Sequence, residues 1–443
     1  MGANSQPSVV DIFKRVYGKA NDLLPEDYML AKDIPFSEKQ KVGEKYIEAA
    51  VLTNEVGFTL AGNGYDAFEL NSPIAGAVKQ AEVTPYISTL SSIIPWSVIS
   101  RSAGAGDKAF FDATKFVTKN NLKSHGKLAE IMRIYGQSAE LLGYVSYATA
   151  TYRGVAFTNG TGTLQVDGSS VAFTNGINAA SKYILLSPGQ WASGIWVGME
   201  GVIVQQVNAS NVVVAEGSLT YVNSEYGFIG VDFTPVAASS TTSHRLCFKG
   251  QAEAKEMIGV HKILTNTGTL FGIPTSNYSL WKGNAVNNAG LKFKLGDLQN
   301  VVAQAVNRGG LEGDLNCYVN ARTWATMVTT EAGSRRYDSS YGGGSDAENG
   351  FESITFHHQT GKTVIRAHRM VKEGHAMLLH TEDWSRSGSA EIAFSIPGME
   401  KDIIYPLENQ AGYKFTSFSD QYIFCNAPAK SIWLYGINDE SAS

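Results

Sequence analysis

The chain has 443 residues, 36 Lys and Arg against 41 Asp and Glu, a formal net charge of -5 and a charged fraction of 17%. That fraction is below the usual ~25%, and the acidic balance excludes a bulk electrostatic draw toward nucleic acid. Cys247, Cys317 and Cys425 are widely spaced without a CxxC pair, which excludes a disulfide framework or a zinc set and predicts buried free thiols in a reducing compartment.

The length allows two or three domains. The 45 glycines among 443 residues exceed the usual ~7% and predict turn-rich β structure. The amino end, MGANSQPSVVDIFKRVYGK, lacks the apolar stretch of a signal peptide. No apolar run approaches the ~20 residues of a membrane span. A soluble, cytoplasmic setting is expected, with no membrane partner.

Residues 1–56 mix short amphipathic and polar pieces and predict an extended arm without a core of its own. The stretch GFTLAGNGYDAFELNSPIAGAVKQAEVTPYI predicts a long hairpin, two strand-like segments around the turn NSP. Its apolar residues Phe58, Leu60, Phe68, Leu70 and Ile74 would be a liability on a monomer and predict cover by another subunit. A long helix is predicted from about Asp107 to Tyr135, capped by Asp107 and followed by Gly136. Lys115, Lys119, Lys123 and Lys127 recur four apart on it and predict one basic stripe. That stripe is a solvated face or one that meets an acidic neighbour.

From about 154 to 246 the texture changes. Arg153 and Lys182 are the basic residues between Thr151 and Ser243, and VAFTNG occurs twice, at Val155 and Val171, each ending in an Asn-Gly turn signal. Short strands separated by turn residues follow, so a small all-β module is predicted between helical parts. Beyond it, KLGDLQNVVAQAVNRGG predicts an amphipathic helix using Leu295, Leu298, Val301 or Val302, and Ala305, stopped by Gly309. A second helix, ARTWATMVTTEAG, starts at the cap residue Asn320. The remainder is largely β.

The motifs that carry chemistry elsewhere dissolve on inspection. Gly361-Lys362-Thr363 ends like a P-loop, but Phe356 stands where the first glycine belongs and a β-branched run follows where a helix should. A hairpin, strand ESITFHH and strand KTVIRAHRM around QTG, is the better reading. His357, His358, His368, His375 and His380 crowd together, with Glu382 and Asp383 near, yet no HExxH appears and adjacent His357 and His358 face opposite ways on a strand. GQSAE and GGSDA each lack the last glycine of G-x-S-x-G. No catalytic, cofactor or metal set emerges. Trp191 and Trp196 suit a core, or a ligand platform in a β-rich hydrolase or carbohydrate-binding protein.

The element order and several segments resemble the major capsid protein of tailed bacteriophages, the lambdoid-coliphage-type capsid fold. The segments are EAAVLTNEVGFT, ILTNTGTLFGI, YSLWKGN, YVNARTWATM, RRYDSSY, FESITFHHQTGKTVI, VKEGHAMLL, ENQAGYKF and DQYIFCNAPAKSIWLYGI. They cover most of the chain outside the β module. The resemblance implies an α+β fold with an amino-terminal arm (1–56), an extended loop (57–104), and a peripheral domain with its spine helix (105–153). An inserted β domain (154–246), a peripheral continuation (247–294) and an axial domain (295–385) would follow. Peripheral strands (386–414) and axial carboxyl-terminal strands (415–443) would close the chain.

The resemblance further implies self-assembly into hexamers and pentamers around double-stranded DNA, with glycine-rich turns at Gly342 to Gly344 as adjustable contacts. Implied partners are a separate scaffolding protein, a portal protein, a decoration or cement protein, and packaged DNA touched non-specifically, here by the lysine stripe. Some members crosslink through a lysine of the extended loop; Lys79 is the lysine in 57–104 here, without an acceptor we can name. An encapsulin-like compartment is the alternative within the same fold.

Overall fold

The computed structural model describes residues 28–38, 45–60, 63, 68–96, 113–146, 151–152, 155–158, 160–330, 354–394, 404–408 and 410–438. Most of the expected arm, the helix start at Asp107, and Gly342 to Gly344 lie outside them.

The spine helix runs Ala113–Tyr135, about 34 Å at 1.5 Å per residue. Val117, Asn121, His125, Ala129 and Met132 recur at three- and four-residue spacing and are buried, which gives the helix one inward face. It stops where Gln137 takes a left-handed φ of 52°. Gly136 serves close approach: a Cβ there would lie 2.0 Å from the Met257 carbonyl oxygen.

A five-stranded sheet packs beside the helix. Its order is Phe36–Glu38, Trp384–Ala393, Gly412–Cys425, Ile404–Pro406, and Tyr86–Pro95 also pairs with Gly412–Cys425. A six-stranded sheet runs Asn284–Asn287, Ile432–Tyr435, Ala376–Leu379, Leu315–Val319, Gly361–Ala367, Ile354–His358. Leu298, Val301, Val302 and Ala305 of the helix Leu295–Gly309 join Cys317, Val319, Leu378 and Leu434 in its core. The stop moves by one residue from expectation. Gly310 holds the left-handed cap at φ 59°, while Gly309 is the last helical residue, where a Cβ would meet the Ala429 backbone. The helix Ala321–Thr330 is capped by Asn320 Oδ1, which accepts from the Arg322 amide at 2.9 Å.

The suspected phosphate loop is the edge hairpin of this sheet, with His358 opposite Gly361. Gly361 is glycine because a Cβ would lie 2.3 Å from the Gly313 carbonyl, and Lys362 Nζ lies 3.4 Å from Asp314. No helix follows, so the phosphate reading falls.

The β-rich region forms one nine-stranded sheet. In spatial order it runs Gly143–Tyr144, Arg245–Phe248, Ile203–Val207, Val213–Asn223, Phe228–Val231, Tyr183–Leu185, Ile177–Asn178, Ser169–Thr174, Thr161–Val166. Asn175 and Gly176, at φ 53° and 80°, make the primed turn that the second VAFTNG signals. The sheet starts before residue 154 and ends after 246. Its root residues Val204, Leu246 and Phe248 share one hydrophobic cluster with Ile131 and Ile134 of the spine helix.

The hairpin differs from its sequence reading. Its ladder is Tyr46–Val51 against Val78–Val83, from Tyr46↔Val83 to Val51↔Val78, so the outgoing strand sits in the segment read as arm. Between them one isolated bridge, Val56↔Ile74, extends the pairing. NSP is not the turn of a two-strand ladder: Asn71 instead ties back to Thr59 Oγ1 at 2.8 Å and to the Phe58 carbonyl at 2.6 Å.

Candidate assembly surfaces and the buried junction

The ribbon formed by Tyr46–Val51 and Val78–Val83 has two unlike faces. Tyr46, Ala50, Ala81 and Val83 are buried, and the Tyr46 ring lies 4.7 Å from that of Tyr422. Ile47, Val51 and Val78 alternate with them and face outward. Beyond Leu52, none of the described residues of the loop up to Ile74 is buried. Phe58, Leu60 and Leu70 are 79%, 95% and 78% exposed, and Phe68 and Ile74 are exposed with them. Burying such a side chain fully gains ~1.5–3 kcal/mol, so the five together forgo on the order of 10 kcal/mol that this subunit's own body does not supply. Lys79, in register with Ala50, is exposed at the ribbon's far end.

The lysines of the spine helix do not share one environment. A four-residue step turns the helix 400°, so the row drifts by ~40° per lysine. Lys119 is exposed, Lys123 and Lys127 are half-buried, and the side chain of Lys115 lies outside the described residues. Lys127 Nζ donates to the Val197 carbonyl at the root of the nine-stranded sheet. Lys119 and Lys123 line a cleft of about 470 Å³ with Lys32, Tyr28, Leu122 and Ile392.

The cleft's far wall is a strap, residues 28–38, laid over the spine helix. Glu130 accepts from the Leu30 amide at 2.7 Å and pairs with Arg133 at 2.7 Å, both carboxylate and guanidinium being buried. Arg133 also donates to Gln421 Oε1 at 3.1 Å, and His368 Nε2 stands 3.6 Å from Glu130. Asp33 accepts from Tyr318 and pairs with Arg366 at 3.2 Å, and Arg386 Nε donates to the Ile34 carbonyl at 3.1 Å. One short strap therefore ties the helix to the five- and six-stranded sheets.

A second polar knot joins the helix end, the nine-stranded sheet and the segment after the edge hairpin. Lys372 is fully buried and donates to Gln190 Oε1 at 2.8 Å and the Leu141 carbonyl at 3.1 Å, with Glu140 at 3.4 Å and the Tyr135 ring 4.9 Å from Nζ. His261 and His375 each stand 3.9 Å from Glu140. Ser138 Oγ bonds His261 Nδ1 at 2.8 Å, and Trp433 Nε1 donates to His375 Nδ1 at 3.1 Å. Burial lowers His261 to about 3 and His375 to about 4 and also lowers Lys372. Burial alone would raise Glu140, but the field of Lys372 and the two histidines outweighs it and holds the carboxyl at about 2. Backbone bonds reinforce the knot: the Glu373 amide donates to the Trp191 carbonyl at 2.8 Å, and the Gly194 amide to that of Arg369 at 2.9 Å. Nearby Glu256, accepting from the Gln137 amide at 2.8 Å, is raised to about 7 by burial.

The crowded histidines separate in space. His358 starts the edge turn, His368 and His375 belong to the strap seat and the knot, and His380 Nδ1 pairs with Asp383 at 2.7 Å. Among the described residues no group of three or more His, Cys, Asp or Glu could hold a metal ion. Trp191 and Trp196 are core residues, not a ligand platform. Cys247, Cys317 and Cys425 are free and buried, and burial raises each thiol. The knot's members come from distant stretches, and no spacing in the sequence announces them.

No family model matches the chain, and no curated protein matches its sequence. Solved structures do. The capsid asymmetric unit of cyanophage A-1(L) covers 96% of this chain and 96% of its own at 10% identity and a TM-score of 0.52. The capsid of a native GTA particle covers 96% and 94% at 8% identity and 0.46, and an encapsulin complex from Synechococcus elongatus 96% and 95% at 8% and 0.41. The first, over nearly the whole of both chains, shows an α+β protein with the capsid fold of tailed phages. It is the architecture that the quoted segments implied.

Proposed function

We propose that this chain is the major capsid protein of a tailed bacteriophage, assembling as hexamers and pentamers into an icosahedral head shell around double-stranded DNA. The observation that carries the reading is the loop beyond the ribbon. Five large apolar side chains stand in solvent on one loop of a chain whose fold is that of a capsid subunit. Overlap of copies buries what one copy cannot. Obligate interfaces commonly bury ~2,000 Å² or more, and many repeated contacts supply the avidity that a pressurised container needs. The role is structural, with no turnover. A separate scaffolding protein, a portal and a decoration protein complete the expected partners, and the particle head is its place of action after assembly in the host cytoplasm.

The test is purification of the expressed protein with its particle, followed by electron microscopy and nuclease digestion. Closed shells holding nuclease-protected double-stranded DNA support the reading. Shells of the same size holding a protein cargo and no DNA would reassign the chain to a compartment. A small, discrete oligomer under shell-forming conditions would end the capsid reading.

A further inference from the structure

We infer that the buried knot is the site of a covalent bond within one chain: Lys372 Nζ and the side-chain amide of Gln190 condense to an isopeptide link, Glu140 carries the proton, and ammonia leaves. The inference concerns a single copy and stands whether or not copies assemble.

Three side chains meet in the arrangement the step needs. Lys372 Nζ lies 2.8 Å from Gln190 Oε1, so the nucleophile rests against the amide it attacks. One carboxylate oxygen, Glu140 Oε2, lies 3.4 Å from that Nζ and 3.3 Å from Gln190 Nε2. It therefore touches both the attacking and the departing nitrogen. A plain ion pair needs only the first of these contacts. The backbone holds the pair in place. The Glu373 amide donates to the Trp191 carbonyl at 2.8 Å, one residue beyond each reacting side chain, and the Lys372 amide donates to Tyr135 Oη at 2.8 Å. The two segments run so close that a Cβ on Gly374 would stand 3.2 Å from Gly189 Cα. Reactants held in this way reach effective concentrations of ~10⁵–10⁸ M, the factor that brings an unactivated amide within reach of an amine.

Burial of Lys372 weakens its hold on a proton and raises the share of free amine that can attack. Glu140 opposes this by favouring the charged form, so linking is slow and newly folded subunits still carry the charged knot. Attack of Nζ on Gln190 Cδ gives a tetrahedral adduct, positive on Nζ and negative on oxygen. Glu140 takes a proton from Nζ and passes it to Nε2. The Cδ–Nε2 bond then breaks, the Cδ–Nζ amide remains, and one ammonia departs past the half-buried Glu140 and Gln190. The carboxylate ends as it began, and no other reactant is consumed. The link would join the root of the nine-stranded sheet to the segment after the edge hairpin.

Mass spectrometry of the purified full chain, aged in native buffer and then digested, tests the bond. Wild type should become lighter by one ammonia, and a branched peptide should join Lys372 to Gln190. The same chain aged in urea should keep its full mass, as should folded Gln190→Met. Glu140→Gln should link at least about a hundredfold more slowly, the scale of general acid–base catalysis, with circular dichroism showing it folded. The wild-type masses decide the bond by themselves if either variant fails to fold. Full mass in the aged, folded wild type, with Lys372 and Gln190 recovered in separate peptides, would overturn it. Loss of one water with Lys372 joined to Glu140 would do the same, and undiminished linking in Glu140→Gln would overturn the proton relay.

Discussion

The loop beyond the ribbon and the knot around Lys372 invert the ordinary placement of side chains. The loop holds Phe58, Leu60 and Leu70 in water, whereas the knot holds Lys372, His261 and His375 out of it around a half-buried Glu140. A buried charge contributes little net stability but demands its partners, and so fixes one arrangement of the elements that supply them. Exposed apolar surface fixes nothing in the subunit and gains only when covered. On the function proposed above, the difference is a division of labour: the knot sets the shape of one copy, and the loop is left to join copies.

The sharpest way to break that comparison is to exchange the loop's five apolar residues, Phe58, Leu60, Phe68, Leu70 and Ile74, for serine. Shell formation should disappear, while subunit stability in urea moves by no more than about 0.5 kcal/mol, the usual range for surface positions. A large loss of subunit stability would mean that the loop packs on its own body. The knot should behave oppositely. Lys372→Met leaves Glu140 with two neutral histidines and should cost about 3–5 kcal/mol in unassembled subunits, read from the urea midpoint. Retained stability would show that the lysine pins nothing.

Acid sharpens the contrast further. His261 and His375 have folded values near 3 and 4, below the ordinary 6.5, so the unfolded chain binds their protons first. Stability should therefore fall as pH drops from about 6.5 toward 4, by a few kcal/mol at most. Glu140, near 2, extends the loss from about 4.5 downward. Thermal melting of a His375→Gln subunit should show a shallower fall across the upper part of that window; an unchanged slope would remove His375 from the account. Glu256 gives an effect of the opposite sign. Its value of about 7 lies above the unfolded ~4.5, so its contribution is present below 4.5 and lost as pH rises through 7. Direct titration of its carboxyl by carbon-13 NMR should place its midpoint near neutrality, and an ordinary value near 4.5 would contradict the burial argument.

Local signals were legible where local chemistry decides. The edge hairpin around Gln359, the cap at Asn320, and the inward face of Leu295–Gly309 were each readable from turn residues, a cap type or a period. The ribbon was not. Its outgoing strand, YIEAAV, holds a glutamate and two alanines, poor strand formers on intrinsic preference. Its partner lies beyond a long loop, so the ladder is specified by pairing that no short window contains. The lysine row failed for a geometric reason. Spacing of four keeps neighbours close but not the whole row in line, and Lys127 has rotated onto Val197. The β module read as separate because its texture differs, but its root strands Gly143–Tyr144 and Arg245–Phe248 belong to the same sheet. The exposed loop residues were named correctly as exposed because nothing in their own segment could bury them. What covers them was outside the reach of a single chain.

The most direct test of the central claim is sedimentation velocity on purified wild-type chain beside the five-serine variant under shell-forming conditions. The account predicts a fast, shell-sized boundary for wild type and a slow subunit boundary for the variant, with equal urea midpoints for the two unassembled subunits. A wild-type chain that sediments as a compact, stable monomer, its loop amides protected from hydrogen exchange, would contradict it.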